Sequence, residues 1–177
     1  MVTIERPESG ECSDYYLGYV GRVPEGDVVA LLAAQPEELN ALVGDLSDEQ
    51  AEFRFAPGEW TIKEVFGHLV DAERLFAFRA FTFTRDDSVE LPGMDPDEYV
   101  RAGRFNEWTL AELLDELTAL RHANVIAFRH MAPEATKRRG VASGSPVSVR
   151  ALIYILAGHV NYHIEDLTEK YLPGLAE

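Results

Sequence analysis

Apolar residues along this chain recur at helical rather than strand spacing, and four blocks carry the pattern. Between Gly26 and Leu46 the residues Val28, Leu31, Leu32, Leu39, Leu42 and Val43 share one face, so a first helix is expected there. Pro36 lies inside it and removes a backbone donor, which predicts a kink or a break. A second block opens at "EWTIKEV". Thr61 followed by Glu64 has the form of a capping box, and Ile62, Val65, Phe66, Leu69, Ala72 and Phe76 mark the apolar face of a helix reaching Phe83. The polar, proline-containing "RDDSVELPGMDPDEY" then reads as a loop. In the third block Leu110, Leu113, Leu114, Leu117, Leu120, Val125 and Phe128 fit an amphipathic helix started by Thr109 and ending near "MAPEA". After the turn-rich "RRGVASGSPVS" a fourth helix is expected from Ser148 to Tyr171, stopped by Pro173 and Gly174.

No stretch of useful length alternates with the period of a strand. Four long helices with short or medium connections imply an all-α chain folded as a four-helix bundle. The opening shows no sustained period, yet its Tyr15, Tyr16 and Tyr19 need a surface to cover. The expected organisation is therefore an irregular N-terminal arm, residues 1–25, packed on a bundle domain of residues 26–177.

Composition narrows the function. A chain of 177 residues with 46% hydrophobic content can bury one sizeable core. Acidic side chains outnumber basic ones, 31 to 16, for a formal charge of -15. Such a surface repels phosphate backbones and anionic lipid heads, so neither nucleic acid nor membrane is an expected partner. The longest nearly uncharged apolar run, "ALIYILAGHV", is too short to span a bilayer. The single Cys12 cannot form an internal disulfide, and "MVTIERPESGECSDYY" has neither the basic nor the apolar part of a secretory signal. A cytoplasmic location is expected.

The candidate chemistry sits in "GHVNYHIED", where His159 and His163 are four residues apart. On a helix that spacing means about 40° of rotation and about 6 Å of rise, so both imidazoles can reach one point. Such a pair also arises by chance. His68, within "EVFGHLVDAER" on the second helix, changes the reading, because a bundle can bring histidines of facing helices around one internal point. Three neutral imidazoles with an open position are a known catalytic metal set. The bland alternative for each is a core-edge histidine donating to a backbone carbonyl. His122 and His130, beside charged residues on the third helix, are expected in solvent.

Glu64 and Asp71 flank His68 at i−4 and i+3, so either can accept the other ring N–H and fix the tautomer. Tyr162, Glu165 and Asp166 adjoin the other pair. Ordinary exposed helix faces also carry such carboxylates. Cys12 has no neighbouring basic group to activate it, and no dinucleotide fingerprint, P-loop, H-E-x-x-H or G-x-S-x-G motif is present. "VASGSPVS" lacks the lysine of a phosphate loop and reads as a pocket rim, while Trp60 and Trp108 are assigned to packing.

The segments "APGEWTIKEVFGHLVDAER" and "HVNYHIEDL" resemble the DinB-like, or DinB/YfiT-like, metalloenzyme superfamily. The similarity spans Gly26 to Leu172, and the pattern W-[ST]-x-x-E-x-x-x-H-L-x-D is matched by Trp60, Thr61, Glu64, His68, Leu69 and Asp71. The family's last-helix motif, H-x-x-H-H or H-x-x-x-H, is met by His159 and His163, with Tyr162 in place of the extra histidine. The resemblance implies a DinB-type four-helix bundle, a homodimer and a divalent ion, zinc or nickel, on His68, His159 and His163. Some members are thiol transferases using bacillithiol or mycothiol.

Two functions follow as expectations. One is a metal-dependent enzyme acting on small molecules, as a transferase of a low-molecular-weight thiol or as a hydrolase, with Asp71, Glu64 or Tyr162 handling protons. The other is a non-catalytic, metal-stabilised bundle that binds a small ligand or a protein partner.

Overall fold

The structure is a computed structural model that describes residues 3–86 and 88–175. In chain order the helices are α1 (Asp14–Val20), α2 (Val28–Val43), α3 (Ile62–Arg85), α4 (Pro96–Gly103), α5 (Leu110–Arg129), α6 (Pro133–Thr136), α7 (Val149–Asp166) and α8 (Leu172–Leu175). A π turn over Leu167–Tyr171 joins the last two. The four longest, α2, α3, α5 and α7, pack as the expected four-helix bundle.

The starts of the helices follow from side chains that satisfy orphaned N–H groups. Thr61 and Glu64 form a complete capping box on α3, as Thr109 and Glu112 do on α5. The Ser148 side chain accepts from Ala151 N on α7, and Asp27 from Val29 N and Ala30 N on α2. Every residue of α7 from Val149 to Val160 is buried, because the other elements surround it. That enclosure explains why its sequence is apolar on nearly every side.

Pro36 does not break α2, which runs unbroken from Val28 to Val43. The missing proline donor would orphan the carbonyl of Leu32, and Arg121 Nη1 donates to that oxygen at 3.0 Å instead. Arg121 is also bonded to Glu73 and Gln35, so one buried cation ties α2, α3 and α5 together.

Three expectations need correction. The opening segment is not wholly irregular: α1 forms there and lies directly on α7. A Cβ on Gly158 would sit 1.9 Å from the Tyr19 carbonyl oxygen, so only glycine permits this approach. The turn-rich stretch before α7 is a hairpin, β2 (Arg139–Ala142) antiparallel to β3 (Ser145–Ser148), and β1 (Glu90–Leu91) pairs parallel with β2. Ser143 and Gly144 turn it with φ of 53° and 71°, the positive values a two-residue hairpin loop requires. Within the segment read as a loop, Asp95 accepts from Glu98 N and starts α4 with Pro96 at its first position.

Ahead of α1 the chain is held by Glu11. Its carboxylate accepts from Ser148 Oγ at 2.7 Å and Arg150 Nε at 2.7 Å, while its carbonyl accepts from Ser148 N. These bonds fasten the opening segment to the start of α7.

Candidate metal centre

His68 projects from the middle of α3, and His159 and His163 project from consecutive turns of α7. These two helices pack against each other, so the three rings meet at one point inside the bundle. His159 Nε2 lies 3.0 Å from His68 Nε2 and 3.2 Å from His163 Nε2. Relative exposures are 7%, 5% and 6% for His68, His159 and His163, so solvent does little to keep the rings apart.

Burial sets their protonation. The His68 pKa falls to about 4 because burial penalises the imidazolium, opposed by the charge of Asp97. His163 falls to about 3, from burial and then from His68. His159 is lowered well below its ordinary value by burial, then by His163, His68 and Arg121. All three rings are therefore neutral at pH 7 and offer lone pairs.

Three convergent neutral imidazoles do not satisfy one another. His159 Nε2 either donates to one neighbour or accepts from one, so it cannot make a proper hydrogen bond to both. A divalent ion that takes all three lone pairs removes the conflict. A tetrahedral site with metal–nitrogen bonds of about 2.0–2.1 Å places ligand nitrogens about 3.3 Å apart, close to the spacings found here. The donor set fits such an ion.

The walls are aromatic. Trp60 lies 4.9 Å from the His68 ring, Tyr19 lies 5.2 Å and Phe76 lies 6.2 Å from His159, and Tyr162 lies 5.0 Å from His163, all between ring centroids. Burial raises the Tyr19 pKa above its usual value, so its hydroxyl stays protonated. The three histidines open onto a cavity of about 580 Å³, which Trp60, Phe76, Arg79, Asp97, Tyr162 and Asp166 also line. That volume suits a small molecule.

Of the proton-handling candidates, only Tyr162 reaches this cavity. Glu64 is occupied elsewhere, accepting from Thr61 N and Asn106 Nδ2. Asp71 is absent from the cavity lining, and partial burial raises its carboxyl pKa against the pull of Arg74. Neither carboxylate accepts from His68 Nδ1, which, like His163 Nδ1, is buried without a partner among the described residues. Glu165 pairs with Arg22, and Asp166 with Lys170. His122 and His130 are exposed.

Sequence reasoning placed Trp60 in packing, yet its ring forms part of the cavity wall and its Nε1 donates to Asp97. Arg79 was not singled out at all. Its position eleven residues after His68 returns it to the same helix face, a signal hidden by the apolar residues between them.

A four-helix bundle with a buried triple-imidazole cluster at the junction of two helices defines a class of protein. The chain belongs to the DinB superfamily, whose family model matches residues 31–167. Among solved structures it is similar to YfiT from Bacillus subtilis, described as a probable metal-dependent hydrolase with an unusual four-helix bundle topology. The two share 17% identity with a TM-score of 0.74, over 83% of this chain and 87% of that one. The likeness establishes the fold. No curated protein matches the sequence.

Proposed function

We propose that this chain is a metal-dependent hydrolase of small molecules, with zinc or nickel held by His68, His159 and His163. One observation carries the reading: three buried Nε2 atoms, 3.0 and 3.2 Å apart, converge at the wall of a cavity of ligand size. Bound there, the ion supplies Lewis acidity, polarising a carbonyl and making water nucleophilic near neutral pH.

The protein's own part is positioning. Burial holds the imidazoles neutral, so proton competition for the lone pairs is weak at pH 7. Trp60, Phe76 and Tyr19 surround the cluster with apolar rings that limit access of bulk water. To Tyr162, whose ring adjoins His163 and lines the cavity, we assign the passing of a proton to the leaving group. The description of YfiT favours hydrolysis, and the donor set fits the ion that such chemistry uses. Transfer of a low-molecular-weight thiol is the competing chemistry for the same ion.

The test is elemental analysis by plasma mass spectrometry on tag-free protein beside a His159→Ala/His163→Ala variant, followed by an ester and amide panel with and without an added thiol. Near-stoichiometric metal in the wild type alone, with product formed without thiol, is expected. A thioester product that requires the thiol, with release of the alcohol or amine, assigns the transferase instead. No metal in either protein after incubation with zinc or nickel overturns the enzyme reading in favour of a binding module.

A further inference from the structure

Four cationic side chains are buried among the described residues: Lys63, Arg79, Arg121 and Arg150. Three of them have carboxylate partners. Lys63 meets Asp48 and Glu52, Arg121 meets Glu73, and Arg150 meets Glu5, Glu8 and Glu11. Arg79 has none among the described residues, although it is 2% exposed and the chain carries 31 acidic residues.

Arg79 is also under-bonded. Nη2 donates to the Pro92 carbonyl at 2.7 Å and to Ser143 Oγ at 2.9 Å. Nε is buried with no acceptor, and Nη1 makes no hydrogen bond to a described residue. The Phe76 ring, 5.7 Å from the guanidinium carbon, offers only its face. A guanidinium has five N–H donors, and leaving a buried cation without a counter-charge is costly unless a partner arrives.

The vacant donors belong to a residue that lines the cavity holding the three histidines. Arg79 follows His68 by three turns, about 16 Å of rise, and a side chain on α3 leans towards the helix N-terminus, here towards the imidazoles. Of the acidic wall residues, Asp97 accepts from Trp60 Nε1 and Glu59 precedes Trp60 in the chain. Arg79 is thus the cation of this wall, and the third acidic wall residue, Asp166, is already paired with Lys170.

We propose that Arg79 binds a carboxylate of the substrate, so that the site takes an acid whose anionic end sits on the guanidinium while its reacting bond lies at the histidines. Charge-assisted donation from Nη1, the nitrogen that neither Pro92 nor Ser143 engages, suits a carboxylate oxygen, and the aromatic residues between the two points suit an apolar spacer. The inference rests on the reading of this cavity as the substrate site. It does not depend on which ion is bound.

The probe is 3-phenylpropionate against its neutral amide, followed by tryptophan fluorescence and calorimetry on zinc-incubated and chelator-treated protein. The acid is expected to bind at least tenfold tighter than the amide in both preparations, and the preference to vanish in Arg79→Met and to fall in Arg79→Lys. Ser143→Ala, which removes one of the bonds made by Nη2, should lower the melting temperature and keep the preference. In wild-type protein the Arg79 Nε–H resonance should shift with the acid and stay fixed with the amide, a readout that survives if the variants fail to fold. A preference abolished by chelation, or kept in Arg79→Met, places the carboxylate on the metal and overturns the proposal. Equal binding of acid and amide, or an unmoved Nε–H resonance, overturns it as well. Absence of bound metal would refute the hydrolase reading while leaving the acid preference measurable.

Discussion

The carbonyl oxygen of Leu32 accepts its hydrogen bond from Arg121 Nη1 because Pro36, four residues on, has no N–H to give. A guanidinium from α5 thus replaces a helix hydrogen bond of α2. The same guanidinium is locked to Glu73, with 2% and 1% side-chain exposure for the pair.

Breaking that pair should be severe. Arg121→Met leaves the Glu73 carboxylate buried with Asn124 as its remaining donor, and a loss of about 3–5 kcal/mol is expected in urea unfolding. Adding Pro36→Ala to Arg121→Met restores a donor for Leu32, so the alanine should help more in that background than in the wild type, by about 1 kcal/mol. Equal effects in the two backgrounds would show that the Leu32 bond carries no energy of its own.

Two glycines, the exposed Gly18 on α1 and Gly158 at the α1–α7 contact, should respond with opposite signs. Gly18→Ala meets nothing closer than Arg22 Nη1 at 3.9 Å and should stabilise by about 0.5–1 kcal/mol through helix propensity. Gly158→Ala drives a methyl into the Tyr19 carbonyl and should destabilise by about 1–3 kcal/mol, with faster proteolysis near α1. A neutral Gly158→Ala in thermal unfolding would mean that α1 does not rest on α7 in solution.

The anchor of the opening segment predicts an acid limit. Hydrogen bonding from Arg150 lowers the Glu11 pKa from 4.5 to about 2, against the opposing effect of burial. A depressed carboxylate contributes stability that is complete above the unfolded value, and this is lost as pH falls from 4.5 through about 2. The contribution is on the order of 3 kcal/mol. Stability against pH should therefore fall more steeply in the wild type than in Glu11→Gln across that window. Parallel curves would remove Glu11 from the acid transition.

Much of this was legible in the sequence, and the reasons differ by element. The starts of α3 and α5 could be read because a capping box is local chemistry, and the His159–His163 pair because i and i+4 spacing survives folding, with His68 joined to it by the facing-helix argument and the DinB resemblance. The hairpin was hidden because its strands are four residues each and part of its pairing is to a two-residue strand distant in sequence. The integrity of α2 at Pro36 depended on a partner 89 residues away, which no local pattern reveals. Arg79 escaped notice for a related reason. A buried cation without a carboxylate partner among the described residues is defined by what does not surround it, and only the packed structure shows that.

The metal reading makes a thermal prediction that separates ligands from bystanders. Zinc or nickel at about 100-fold excess over its dissociation constant should stabilise the folded state by about 2.7 kcal/mol. For a chain of this size that raises the melting temperature by about 5–10 °C. His68→Ala and His163→Ala each remove one of three lone pairs and should abolish most of the shift. His122→Ala and His130→Ala, at exposed positions, should leave it intact. Tyr162→His offers a fourth imidazole beside His163 and tests whether the site accepts further donation. If His122→Ala or His130→Ala erased the shift as fully as His68→Ala, the ion would be binding at the surface and the buried convergence of nitrogens would have another cause. If only the three buried histidines matter, the point where α3 meets α7 is where the ion sits.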